Sequence, residues 1–403
     1  MRRVLTIIGL VLGAQAVGGF LFAWSGLYSV AASKEHWPPV YWFLSMAMRS
    51  SIETHAAFVD DPPDLDDPAL IQRGAGHYED GCAPCHGAPD AARNPISRHM
   101  LPAPPFLPGR AGDWTDKQLY WITYSGIKYA GMPAWPAQAR DDEPWAVAAF
   151  LRRLDGMSAE DYRRLAFGEA PPDGDRSALS DLKMPDGSAR EVLDNCARCH
   201  GYDGAGRGPW ESAGESTGAF PRLSGQNAEY LFHALKAYAE GGRYSGIMQP
   251  VAAGLDDTTL LALADHYAGQ KAAPYPPPPS DADPALLELG ARLAESGDRG
   301  TGVPACSGCH GANRDPRYPR LDGQHARYIA NQLRLWQKDA HGDTPLSRIM
   351  AATARNLTEE QIRALSLHYA LSRPREAAET EGARPTRRSP PRSVQTHPRP
   401  AGG

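Results

Sequence analysis

Apolar residues run almost without a break from Val4 to Trp24, interrupted only by Thr6 and Gln15. As a helix this stretch is roughly 30 Å long, a full hydrocarbon thickness. Arg2 and Arg3 stand directly in front of it, and the nearest cation behind it is Lys34, beside Glu35. That bias puts the N-terminus on the cytoplasmic side. Trp24, Tyr28, Trp37, Tyr41 and Trp42 form an aromatic cluster suited to the outer interface. Val30-Ala31-Ala32 would serve a signal peptidase, but the run exceeds an ordinary signal core. The expectation is a retained anchor over 1–32 and a juxtamembrane linker over 33–66.

Beyond the linker the apolar spacing is helical. Leu260, Leu261, Leu263, Ala264 and Tyr267 repeat near 3.6 residues, as do Ile362, Leu365, Ser366 and Tyr369. Asp256-Asp257 and Thr358-Glu359-Glu360 supply start signals for these two segments. Three units of one plan emerge, each with a leading and a closing helix. The leading helices are expected at Ala69–Glu79, Ser188–Asn195 and Pro284–Ser296, and the closing ones at Glu143–Leu154, Asp256–Ala268 and Thr358–Leu371. No strand-like alternation of any length appears, so the fold class is all-α. The units span 67–165, 180–272 and 285–373, with a Pro-rich spacer at 273–284 and a Pro/Arg-rich, disordered tail at 374–403.

The chain has six cysteines, and all fall in one repeated pentapeptide: Cys82-Ala-Pro-Cys85-His86, Cys196-Ala-Arg-Cys199-His200 and Cys306-Ser-Gly-Cys309-His310. C-x-x-C-H is the attachment signature of c-type haem. One turn of backbone puts two thiols under the porphyrin edge, where they add to the vinyl groups, and turns the next imidazole toward iron. Disulfides within C-x-x-C would be strained and would leave each histidine unexplained. Thioredoxin-like pairs want a βαβ context, and structural zinc wants two knuckles converging on one ion. Three covalent haems c are therefore expected, in an extracytoplasmic compartment.

A low-spin carrier needs a sixth iron ligand, and a thioether raises the potential relative to a second imidazole. Met132, Met248 and Met350 follow His86, His200 and His310 at comparable offsets, each read as lying in a loop. Met100 stands too close to His86 to wrap the ring, Met157 follows the first closing helix, and Met184 precedes its motif. His99, His233 and His325 are the bis-histidine alternatives, while His55, His77 and His368 read as local helix residues. Arg243 and Arg348, with Tyr230 and Tyr328, are candidates for binding haem propionates or for ordinary surface roles.

Each unit resembles a class I c-type cytochrome domain, with C-x-x-C-H followed by Gly87, Gly201 or Gly311 and a distal methionine. Residues 180–373 resemble the dihaem cytochrome c4 group, through Pro221-Arg222-Leu223-Ser224-Gly225-Gln226 and Pro319-Arg320-Leu321-Asp322-Gly323-Gln324. The resemblance implies ligation by His200 with Met248 and by His310 with Met350. It also implies that the Pro221 and Pro319 carbonyls accept from the proximal imidazoles, and that two haem domains pack with propionate edges facing. The first unit resembles single-haem domains fused to membrane oxidases and dehydrogenases, through Gly131-Met132-Pro133.

Irons closed by His and Met leave no position for a substrate, so the expected function is electron transfer rather than catalysis. The chain reads as a trihaem cytochrome anchored in a bacterial inner membrane, its haem domains in the periplasm, delivering electrons within a respiratory chain to a terminal oxidase. Its partners would be a redox donor and acceptor, with no small-molecule substrate. A formal net charge of −5 gives no basic footprint for nucleic acid. The rival readings are the trihaem cytochrome subunit of a periplasmic alcohol, aldehyde or sugar dehydrogenase, and a haem peroxidase or reductase with one labile iron ligand.

Overall fold

The computed structural model describes residues 1–167, 189–206, 218–270, 283–311 and 315–373. The expected spacer up to residue 282, the tail, Met184 and the opening of the second unit fall outside them, while Asp283 caps and Pro284 opens a helix. Among the described residues there is no β-strand, only isolated bridges, so the all-α expectation holds.

Helix α1 (Arg2–Trp24) has no buried residue and is long and apolar enough to cross a membrane. The linker contains an element the pattern analysis did not anticipate, α2 (Pro38–Ala56). Its C-terminal half docks on the first unit: Ile52 and Ala56 are buried, His55 stacks on Trp121 at 5.3 Å, and Arg49 lies over the Trp114 ring. Its N-terminal half leaves Trp37, Tyr41, Trp42 and Phe43 exposed.

The first unit comprises α3 (Pro68–Gly81), α4 (Ala83–His86), α5 (Pro95–Arg98), α6 (Asp116–Ser125), α7 (Glu143–Leu154) and α8 (Ala159–Phe167). Asp67 caps α3 by accepting from Ala69 N, with Pro68 at the first position, where its missing N–H costs nothing. Helices α3 and α7 cross at Gly74, where a Cβ would lie 1.9 Å from the Ala146 carbonyl oxygen. Tyr78, Phe150 and Tyr162 fill the centre of this core, and the Tyr78 hydroxyl donates to the Gly87 carbonyl at 2.6 Å. That bond ties the leading helix to the loop after the first C-x-x-C-H.

The second unit holds α9 (Ala189–His200), α10 (Ala228–Ala239), α11 (Met248–Ala252) and α12 (Asp257–Gly269). Its leading helix runs on through the cysteine motif instead of stopping at Asn195. Leu193, Leu231, Leu263 and Tyr267 form its core. The third unit holds α13 (Pro284–Ser296), α14 (Ser307–His310), α15 (Ala326–Gln337), α16 (Pro345–Ala354) and α17 (Glu359–Leu371). Here α13 crosses α17 at Gly290, where a Cβ would meet the Ala364 carbonyl oxygen at 2.3 Å, repeating the geometry at Gly74. Thr358 and Gln361 close a capping box at the start of α17.

Candidate haem sites

Each C-x-x-C-H histidine is held by one hydrogen bond from the ring nitrogen nearer the backbone. His86 Nδ1 lies 2.9 Å from the Pro105 carbonyl oxygen, His200 Nδ1 3.2 Å from that of Pro221, and His310 Nδ1 3.0 Å from that of Pro319. A carbonyl only accepts, so Nδ1 carries the proton and Nε2 keeps its lone pair for a metal. Burial lowers the pKa of all three imidazoles, which keeps them neutral and fit to ligate. The first unit lacks the P-R-L-x-G-Q element, yet its own loop supplies an equivalent acceptor at Pro105.

All six cysteines are free thiols, none joined to another. Burial pushes Cys82 and Cys196 up to about 12, with the neighbouring thiol of each motif adding to the shift, and it raises Cys306. Among the described residues no three His, Cys, Asp or Glu side chains converge on a metal-sized point. Donor chemistry and cavity both suit a porphyrin bonded through sulfur.

A single cavity of about 1850 Å³ runs through the first two units. Cys82, Cys85, His86 and Met132 line it, and so do Cys196, Cys199, His200 and Met248. Met100 also borders it, while His99 and His233 do not. His99 Nδ1 instead bonds the Pro95 carbonyl, and His233 is solvent-exposed near Glu229. His325 sits before α15 with Nε2 toward the Ala205 carbonyl oxygen, away from this space. His77, read from sequence as a plain helix residue, lines the cavity with its ring 4.6 Å from Trp135.

Two methionines depart from the expected loop setting. Met350 lies within α16, which Thr344 caps and Pro345 opens, and its side chain packs on the third core beside Cys306 and Leu321. Met248 is the first residue of α11. Met132 keeps the loop geometry, bridged to Ile127.

Of the propionate candidates, the structure brings three together and leaves one out. Arg243 is buried, donating to the Tyr230 hydroxyl at 3.2 Å and the Tyr328 hydroxyl at 3.1 Å, with Gln332 accepting at 3.0 Å. One guanidinium thus spans α10 and α15. Arg348 is exposed and pairs with Asp343 at 2.7 Å.

Residues 69–151 match the family described as cytochrome c oxidase, cbb3-type, subunit III, and residues 188–265 match the family described as cytochrome c. The chain is 33% identical to cytochrome c4 of Azotobacter vinelandii over 184 residues, 42% of this chain and 81% of that protein. This chain belongs to the c-type cytochromes, in the cytochrome c4 group. The cytochrome c4 of Thiocapsa roseopersicina is likewise 33% identical, over 48% of this chain and 95% of its own length. The thiosulfate dehydrogenase electron acceptor of Thiomonas intermedia is 33% identical over 43% of this chain and 76% of its own. As a c-type cytochrome the protein carries covalent haem c and transfers electrons.

Sequence reasoning did not find Glu143, Ser245 or His341. Glu143 is a buried carboxylate at the start of α7 that bonds Ser245 and Gly246 of the second unit. His341 is buried and stacked on Trp336 at 4.1 Å, its carbonyl accepting from Tyr244 N at 3.0 Å. Both act across unit boundaries, and no local pattern announces such contacts.

Proposed function

We propose that the protein is a membrane-anchored, periplasmic trihaem cytochrome that relays electrons along three domains, 67–165, 180–272 and 285–373. In this reading iron is held by His86 with Met132, His200 with Met248, and His310 with Met350, each porphyrin joined to the adjacent cysteine pair. The observation that carries it is the threefold recurrence of an imidazole fixed through Nδ1 by a proline carbonyl, Nε2 left free. Iron closed on both faces exchanges electrons with little rearrangement, and thioether ligation favours the ferrous state.

Delivery to a terminal oxidase is the favoured destination, supported by the likeness of 69–151 to an oxidase subunit. The likeness to a thiosulfate dehydrogenase electron acceptor favours a second role at the other end of the relay, with a periplasmic dehydrogenase as donor. Helix α1 would tether the haem domains to the inner membrane, and the exposed aromatics of α2 would rest at its outer interface. Solubilising native membranes and identifying what co-purifies, alongside a redox titration, tests the assignment. Three positive-potential transitions with oxidase subunits attached are expected. A haem that binds cyanide or peroxide rapidly in the untreated protein would contradict the carrier role.

A further inference from the structure

The first and second units meet at a buried carboxylate. Glu143 is 4% exposed, and both of its oxygens are shared between units. Within the first unit Oε2 accepts from Trp135 Nε1 at 2.9 Å, and Oε1 pairs with Arg140 Nη1 at 2.9 Å. From the second unit the Gly246 amide donates to Oε2 at 2.6 Å and the Ser245 hydroxyl donates to Oε1 at 2.7 Å. Arg140 Nη1 also donates to the Tyr244 carbonyl at 2.9 Å, so three consecutive residues are gripped. A Cβ at Gly246 would fall 2.2 Å from Trp135 Nε1, so any larger side chain would force the two units apart here.

The gripped segment leads straight into Met248. Ser245 Oγ, oriented by Glu143, accepts from Ile247 N at 3.2 Å and from Met248 N at 3.1 Å, capping α11. Two hydrogen bonds therefore separate a carboxylate of the first unit from the backbone of the residue read as the second iron's sulfur ligand. A buried carboxylate is costly unless its oxygens are satisfied, and half of this one's partners come from the neighbouring unit.

We propose that Glu143 and Ser245 are positioning residues through which the first unit holds the Met248 sulfur on the second haem. The inference rests on the reading of Met248 as an axial ligand. The second haem thus has a fully tightened ligand loop only when the first unit is docked; Glu143 also holds Trp135, three residues after Met132, so the dependence peculiar to the second haem runs through Ser245. Arg140 reinforces the grip through Tyr244, and the contact between Arg198 and Asp80 joins the same two units without touching the loop.

The test uses the full-length holoprotein. Proton resonances of iron-bound methionine methyls in the reduced state are assigned with Met132→Ala, Met248→Ala and Met350→Ala. Imidazole is then titrated into the ferric protein, and displacement of each methionine is followed separately. Glu143→Ala and Ser245→Ala are each expected to make displacement at the second haem about tenfold easier, the scale of one lost buried hydrogen bond. With Ser245→Ala the first and third haems should be unchanged, whereas Glu143→Ala, which also frees Trp135 beside Met132, should weaken the first haem less than the second. Glu143→Gln, which keeps an oxygen for Gly246 and Trp135 but turns an amide N–H2 toward Ser245 and Arg140, should restore only part of the resistance, and Asp80→Ala should behave as wild type. The proposal is overturned if Glu143→Ala and Ser245→Ala leave the second haem as resistant as before, if all three haems weaken alike, or if Asp80→Ala has the same effect. If Met248→Ala removes no bound-methyl resonance, the ligand assignment itself fails, and the proposal falls with it for that separate reason.

Discussion

The side-chain amide of Gln324 closes on the backbone of Arg222 in both directions: Oε1 accepts from Arg222 N and Nε2 donates to the Arg222 carbonyl, each at 2.9 Å. The mirror contact exists, with Gln226 accepting from Arg320 N at 2.7 Å and donating to its carbonyl at 2.9 Å. Arg222 follows Pro221, and Arg320 follows Pro319, the two carbonyls that fix His200 and His310. The glutamine of each P-R-L-x-G-Q element therefore braces the proximal histidine of the other unit. Replacing Gln324 by Ala is expected to cost about 2 kcal/mol of unfolding free energy, two buried hydrogen bonds to backbone. Chemical denaturation measures it. The paramagnetically shifted ring-proton resonances of the proximal imidazole in the ferric protein should move for the second haem with Gln324→Ala and for the third with Gln226→Ala.

The buried guanidinium of Arg243 joins Tyr230 and Tyr328 beside the cavity. A fixed positive charge opposes the gain of positive charge when iron is oxidised, so it raises the potential of nearby haem. Arg243→Gln should lower the second haem's potential; a unit charge about 10 Å from an iron is worth about 1–2 kcal/mol at an effective dielectric near 20. Arg243→Lys should retain most of it. Potentiometric titration of both variants decides, with the first haem as internal reference.

Much of the helical scaffold was legible in the chain. Pro284–Ser296 and Glu143–Leu154 match expectation to the residue, because a proline in the first turn and an apolar stripe agree at each, with Asp283 capping the former. Helix α2 was not, since its aromatic N-terminal half reads as a membrane interface and its helical packing depends on Trp114 and Trp121, far along the chain. The Thr344-Pro345 start of α16 was present but passed over, which left Met350 in a supposed loop. The cysteines and histidines of the sites declare themselves by spacing alone. Glu143 and Arg140 could not, because their partners lie about a hundred positions away and nothing local distinguishes them from surface charge.

Acid should weaken the fold through two half-buried histidines. Burial, with Arg198 nearby, lowers His77 to about 4, and burial with Arg222 nearby lowers His325 to about 4. Both are neutral in the native state, whereas in the unfolded chain they take up a proton below about 6.5. The unfolded state then binds more protons, so their contribution is intact above pH ~6.5 and is lost as pH falls toward 4. Thermal unfolding across that window should show the decline, and His77→Gln with His325→Gln should flatten it.

Replacing residues 1–32 by a cleavable signal peptide, which preserves export, should release the protein from membranes without altering its haem spectrum, because α1 buries nothing against the rest of the chain. Partition between pellet and supernatant after expression of both forms measures this. A truncated form that still pellets with membranes would transfer the anchoring role to α2 or to a partner.

The most direct measurement is the intact mass of the acid-extracted, denatured polypeptide. Thioether-bound porphyrin survives that treatment, whereas non-covalent haem is stripped away. The account requires a mass above that of the polypeptide by three haem groups, falling to two when the cysteine pair of any one motif is replaced by alanine. A polypeptide with no added tetrapyrrole, or with fewer than three, would contradict it.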